Sequence, residues 1–124
     1  MKTRNQPKAG FTLLEIMIVV GLIGMLTAIA IPNLVKARNS SQSNACINNL
    51  HQIDNAIQEW ALENKKDVSQ TVAFSDISTY LKFATICPSG GTDFSDSYTI
   101  VDVGTKPVCQ KRPAVHVFAA DTGN

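Results

Sequence analysis

The chain has 124 residues, 44% of them hydrophobic, with 11 basic and 10 acidic side chains and a net charge of +1. That length leaves room for one small domain beside a membrane helix, and the absence of clustered Lys and Arg speaks against a nucleic-acid partner. Internal repeats and low-complexity linkers are lacking as well.

Residues 1–10, MKTRNQPKAG, carry Lys2, Arg4 and Lys8 and no acid. Residues 11–31 then read FTLLEIMIVVGLIGMLTAIAI, an apolar run whose one ionisable side chain is Glu15. About twenty such residues suffice to cross a bilayer as a helix. A carboxylate inside that helix costs ~2.5–3.5 kcal/mol on insertion scales, which makes Glu15 a candidate functional residue. Three basic residues precede the run, and Lys36 and Arg38 follow it, so the charge bias favours a cytoplasmic N-terminus. Two ordinary readings compete: a secretory signal cut after Ala30, behind the small-x-small pair Ala28 and Ala30, and a plain uncleaved anchor. Glu15 and the length of the run both argue against a signal. Gly24 and Ala28, four residues apart, offer a small-xxx-small face for close helix approach.

Past Pro32 the composition turns polar while the period stays helical. Cys46, Leu50, Ile53, Ile57 and Trp60 recur at spacings of four and three, one apolar stripe on an Asn- and Gln-rich helix. Asn44, Asn48, Asn49, Gln52, Asn55 and Gln58 lie between them and are expected to face water or neighbouring molecules. A helix over residues 11–64 would run roughly 80 Å at 1.5 Å per residue, with Pro32 able to bend it. Its stripe needs a cover, which must come from residues 65–124.

Lys65, Lys66 and Asp67 end the helix in a solvated loop. Ser75 is expected to cap a short helical turn over residues 75–81, with Ile77, Tyr80 and Leu81 on one side. Cys87, Pro88, Ser89, Gly90 and Gly91 read as a turn. Residues 98–103 are β-branched and aromatic, hence a strand, with a hairpin return over 107–110 and a third strand over 114–118. The expected class is α+β: a long helix covered by a small antiparallel sheet.

Cys87 and Cys109 both lie in this turn-rich half, and a bridge between them would close a 23-residue loop. In chain-entropy terms that contributes about 3 kcal/mol. Three cysteines allow three pairings. Cys46, on the stripe, reads most simply as a small buried hydrophobe.

Gly10, Phe11, Thr12, Leu13, Leu14 and Glu15, leading into an unbroken apolar helix, resemble the N-terminus of type IV pilins and of type II secretion pseudopilins. The resemblance implies cleavage between Gly10 and Phe11 by a prepilin peptidase and methylation of the new amino group, so that Phe11 becomes N-methylphenylalanine. It makes Glu15 the fifth mature residue, pairing with the α-amino group of a neighbouring subunit. Gly24 and Pro32 match the family's glycine and proline, which bracket a stretch that can loosen in assembled filaments. Residues 44–66, the turn 87–91 and residues 105–109 further resemble a pseudopilin-like subfamily with very small heads. Residues 92–97 and the tail 110–124 depart from that pattern.

The implied organisation is a basic leader over 1–10, a membrane and filament-core helix over 11–32, its amphipathic continuation over 33–64 and a small head over 65–124. The implied function is that of a structural subunit of a secretion pseudopilus or a type IV pilus. It would start in the inner membrane with the head periplasmic and end in the filament. The implied partners are copies of itself and related pilins, the peptidase, and an inner-membrane assembly platform with its ATPase. The alternative is a single-span anchored periplasmic binding protein that does not polymerise.

Rival chemistries find little support in spacing. Cys46 and His51 are five apart, about 140° around a helix, and do not face each other. His116 could approach Cys87 or Cys109 in the fold, but cysteines of an exported hairpin are more readily bridged than nucleophilic. Zinc is expected to need close spacing such as CxxC, which is lacking. Asp93, Asp96, Asp102 and Asp121 lack the regular oxygen alternation of a calcium loop. No enzyme activity, cofactor or metal is expected.

Overall fold

The computed structural model describes residues 10–82 and 85–118. Two compact units divide the chain, Met1–Ala37 and Arg38–Asn124. Helix α1 spans Leu13–Glu63. Thr12 starts it: its carbonyl accepts from the N–H groups of Glu15 (3.1 Å) and Ile16 (3.3 Å), and its Oγ1 accepts from Glu15 N–H at 3.2 Å. A Thr followed three residues later by Glu is the capping-box spacing, and a carboxylate in the first turn also suits the helix dipole.

Within the first unit the helix continues through Pro32. Proline lacks the N–H that would reach the carbonyl four residues back, so the Ala28 carbonyl loses its helical donor. One turn earlier the Thr27 hydroxyl donates to the Gly24 carbonyl at 3.0 Å, a local diversion of the same ladder.

In the second unit the expected stripe is the core. Cys46, Leu50, Ile53 and Ile57 are buried, Ala61 extends the row, and Trp60 is only half-buried at its edge. After Glu63 the chain turns sharply. Lys66 N–H reaches the Ala61 carbonyl at 2.9 Å, and Lys65 takes a left-handed φ of 51°. This is a Schellman ending in which lysine fills the position that usually goes to glycine.

The cover is mostly irregular. Helix α2 is a single turn, Phe74–Ile77, and its N-cap is Ala73 rather than Ser75. Asp76 sets that boundary by accepting from Ala73 N–H at 3.0 Å. Helix α3, Phe94–Ser97, has no counterpart among the expected elements; Asp93 caps it by accepting from Asp96 N–H at 2.8 Å. Strand β1, Tyr98–Thr99, pairs antiparallel with β2, Val108–Cys109, in the register Tyr98 to Cys109 and Thr99 to Val108.

Two strand expectations are corrected. Residues 98–103 do not form one strand, because they change partner midway. The first two pair with β2, whereas Asp102 bridges Thr71 and Val101 accepts from Val72 N–H at 3.1 Å. Residues 114–118 form no third strand. Pro113 opens a turn in which Val115 and His116 N–H groups reach the Arg112 carbonyl at 3.1 and 2.8 Å, and a chain closed on itself has no ladder to offer. Among the described residues the sheet therefore has two strands, and the α+β class stands.

Val72, Ile77, Cys87, Phe94, Tyr98, Val103 and Cys109 complete the core opposite the helix. Two helix amides expected to face water instead hold the cover. Asn49 Nδ2 donates to the Ile86 carbonyl and to Tyr98 Oη, both at 3.0 Å, and Gln58 Nε2 donates to the Val103 carbonyl at 3.0 Å.

Candidate functional site

The first candidate is the apolar part of α1. It is long and apolar enough to cross a membrane, and its large side chains from Phe11 to Val35 are all exposed. A side chain added at Gly21 or Gly24 would meet nothing among the described residues. Glycine inside a helix costs about 1 kcal/mol relative to alanine. Packing within the protomer does not repay that cost. Glu15 projects from the first turn of this same surface, one turn after Phe11.

The second candidate lies in the head. Cys46 comes from α1, Cys87 from the entrance of the turn 87–91, Cys109 from β2, and His116 from the turn behind Pro113. One ligand atom from each falls within 4.8 Å of the others. The Cys87 and Cys109 sulfurs are 3.6 Å apart, in contact but not bonded. His116 Nδ1 stands 3.5 Å from Cys109 Sγ and 3.8 Å from Cys87 Sγ. All four residues are at most 2% exposed.

The surrounding groups orient this cluster. Tyr98 Oη lies 3.5 Å from Cys46 Sγ while accepting from Asn49, so its own proton is free to point at the sulfur. Cys87 N–H donates to Ser97 Oγ at 3.1 Å, and Gly91 N–H closes the turn on the Cys87 carbonyl at 2.9 Å. Burial pushes the Cys46 thiol up to about 12, partly opposed by the Tyr98 hydroxyl. Burial also acts to raise Cys109, but the backbone N–H groups of Arg112 and Lys111 and the neighbouring thiols outweigh it and bring it below the usual thiol value. Burial, with the Arg112 charge second, lowers His116 and favours a neutral imidazole.

Comparison with known proteins starts from the N-terminus, where the family described as the prokaryotic N-terminal methylation motif matches residues 5–31. The type IV major pilin protein PilA of Myxococcus xanthus is 38% identical over 80 residues, 64% of this chain and 33% of that protein. The type II secretion system core protein G of Vibrio cholerae is 33% identical over 63 residues, 51% of this chain and 42% of that protein. Competence protein ComGC of Bacillus subtilis is 30% identical over 83 residues, covering 65% of this chain and 82% of that protein. The chain belongs to the type IV pilin and pseudopilin family. It spans less than half the length of the first pilin and secretion relatives. No solved structure matches it.

In this pilin-family chain the residues singled out from sequence separate into two groups. Gly10 and Phe11 lie just before α1, and Glu15, Gly24, Ala28 and Pro32 lie within its apolar stretch. Cys87 and Cys109, expected to be bridged, stand in contact without a bond, and Cys46 and His116 lie beside them. Spacing gave no warning, since the four side chains come from four separate segments. His51, the helical neighbour weighed against Cys46, is exposed and packs its ring on Phe118 at 4.5 Å. Asp93 and Asp96 are occupied in capping α3 and in an ion pair with Lys111 at 2.6 Å. Asp121 lies outside the described residues. The one signal for the cluster was an odd cysteine on a stripe otherwise made of large side chains.

Proposed function

We propose that this chain is a structural subunit of a type II secretion pseudopilus or a type IV pilus. A prepilin peptidase hydrolyses the bond between Gly10 and Phe11 on the cytoplasmic side and methylates the freed amino group of Phe11. The apolar half of α1 holds the subunit in the inner membrane with its head in the periplasm. An assembly platform and its ATPase then transfer that half into a filament core of self and related pilins.

The supporting observation is the uncovered apolar half of α1, whose glycines touch nothing among the described residues that would require them to be small. Close approach of neighbouring helices would supply that reason. Glu15 fits the same reading. A lone buried carboxylate is costly, but pairing with the α-amino group of Phe11 on an adjoining subunit compensates both charges and fixes their register. Gly24, Ala28 and Pro32 give the packed helices a close-approach face and a weakened ladder. The subunit itself carries out no catalysis.

Intact mass of the mature chain purified from cells and medium tests this reading. A start at methylated Phe11 is expected. A Met1 start would indicate a plain anchor, and an Ile31 start a secreted product. A processed chain that never co-sediments with copies of itself or related pilins would overturn the assembly role.

A further inference from the structure

The geometry points to a structural zinc site in the head, formed by Cys46 Sγ, Cys87 Sγ, Cys109 Sγ and His116 Nδ1. Three thiolates and one imidazole are a closed structural zinc set. With metal–sulfur distances near 2.3 Å and metal–nitrogen near 2.0–2.1 Å, tetrahedral coordination places sulfurs about 3.8 Å apart and sulfur about 3.5 Å from nitrogen. The observed separations are 3.6 Å between Cys87 and Cys109, and 3.5 and 3.8 Å from His116 Nδ1 to their sulfurs. Cys46 completes the set within the 4.8 Å that encloses all four atoms. The four donor atoms lie close enough together to share one ion.

A catalytic dyad or a disulfide would also bring thiols and an imidazole together, and the structure weighs against each. A nucleophilic cysteine with a histidine base needs an approach for substrate, and residues at most 2% exposed provide none. A Cys87–Cys109 bridge uses two sulfurs and leaves Cys46 and His116 Nδ1 gathered around it without a role. The metal uses all four.

Outer contacts match what a metal site requires, since partners of the ligands orient them and tune their affinity. Tyr98 Oη, which accepts from Asn49 Nδ2, lies 3.5 Å from Cys46 Sγ, and Cys87 is held by its N–H donating to Ser97 Oγ and its carbonyl accepting from Gly91 N–H. Binding releases three thiol protons to solvent, forms three zinc–sulfur bonds and one zinc–nitrogen bond, and involves no change of oxidation state. Zinc at this point would tie the helix, the 87–91 turn, β2 and the tail turn into one clasp. It would add to what the small hydrophobic core of the head supplies. This does not depend on whether the chain polymerises.

Metal analysis of the full chain, purified from membranes in mild detergent without chelator or reductant, tests the site. One zinc per chain is expected, together with a denatured mass in which all three cysteines are reduced. Exchange with cobalt should give the visible bands of a tetrahedral ion and a thiolate charge-transfer band. Cys46→Ser and His116→Ala should each weaken zinc retention against a chelator at least tenfold, and His116→Cys should retain the metal. A denatured mass two hydrogens low with a Cys87–Cys109 cross-linked peptide would overturn the proposal. So would a wild-type chain that purifies without zinc and binds added zinc no better than the triple Cys→Ser variant. Wild-type metal content and the cobalt spectrum decide the matter even where a variant fails to fold.

Discussion

Asp54 and Lys106 meet at 2.8 Å, one from the buried side of α1 and the other from the loop before β2. The pair is lopsided: the aspartate side chain is 12% exposed and the lysine 57%. Removing the lysine strands a nearly buried carboxylate, whereas removing the aspartate frees a lysine that water can solvate. Lys106→Met should therefore destabilise the head more than Asp54→Asn, by about 1–2 kcal/mol against less than 1 after allowance for the exposed partner. Denaturant unfolding followed by Trp60 fluorescence measures both, and equal losses would show that Asp54 is solvated.

Glu15 is expected to act between subunits and not on the fold of its own. Glu15→Ala should leave cleavage at Gly10 and head stability unchanged while sharply lowering filament yield. Glu15→Gln keeps the shape without the charge and should fail in the same way. Immunoblotting of cell and sheared fractions separates processing from assembly, and wild-type yield from either variant would refute the charge pairing.

Gly91 sits where a side chain has no room. An added Cβ would collide with Ser97 Oγ and lie 3.0–3.1 Å from the backbone N and O of Cys87. Ser97 is buried and is itself bonded to Cys87 N–H and the Asp93 carbonyl, so it has nowhere to move. Gly91→Ala should cost about 1–3 kcal/mol, the usual range for overpacking. Gly21→Ala, with open space around it, should leave the thermal midpoint of the head unchanged.

Asp96 and Asp93 give the head an acid-sensitive corner. The Lys111 ammonium beside Asp96, and then N–H and hydroxyl donation from Thr92, hold its carboxyl below the usual value. Asp93 is lowered chiefly by the Asp96 backbone N–H and by Ser95. Folded values below the unfolded ones mean that the stabilisation is fully present above about pH 4 and is lost as pH falls through the lowered values. Acid titration by circular dichroism should show that Asp93→Asn with Asp96→Asn flattens the pH slope below pH 4. An unchanged slope would place the sensitivity elsewhere.

Much of the architecture was readable from period alone. Cys46, Leu50, Ile53 and Ile57 announced a covered helix face, and Pro88 with Gly90 and Gly91 announced the turn that became the support of Cys87. The Tyr98–Cys109 pairing was within reach because both strands are local. What escaped were decisions made at long range. Residues 98–103 look like one strand, but residues 70–72 capture their second half. The tail behind Pro113 has strand composition, yet it turns on Arg112 and buries His116. The sulfur–imidazole cluster depended on both outcomes, so spacing along the chain could not reveal it.

Among the described residues, a ladder of two residues per strand also limits what the head can do by accident. Such short margins present too few unpaired amides and carbonyls to template another chain. When many copies stand shoulder to shoulder, fusion by strand exchange is thereby disfavoured, and contact between neighbours is left to side chains.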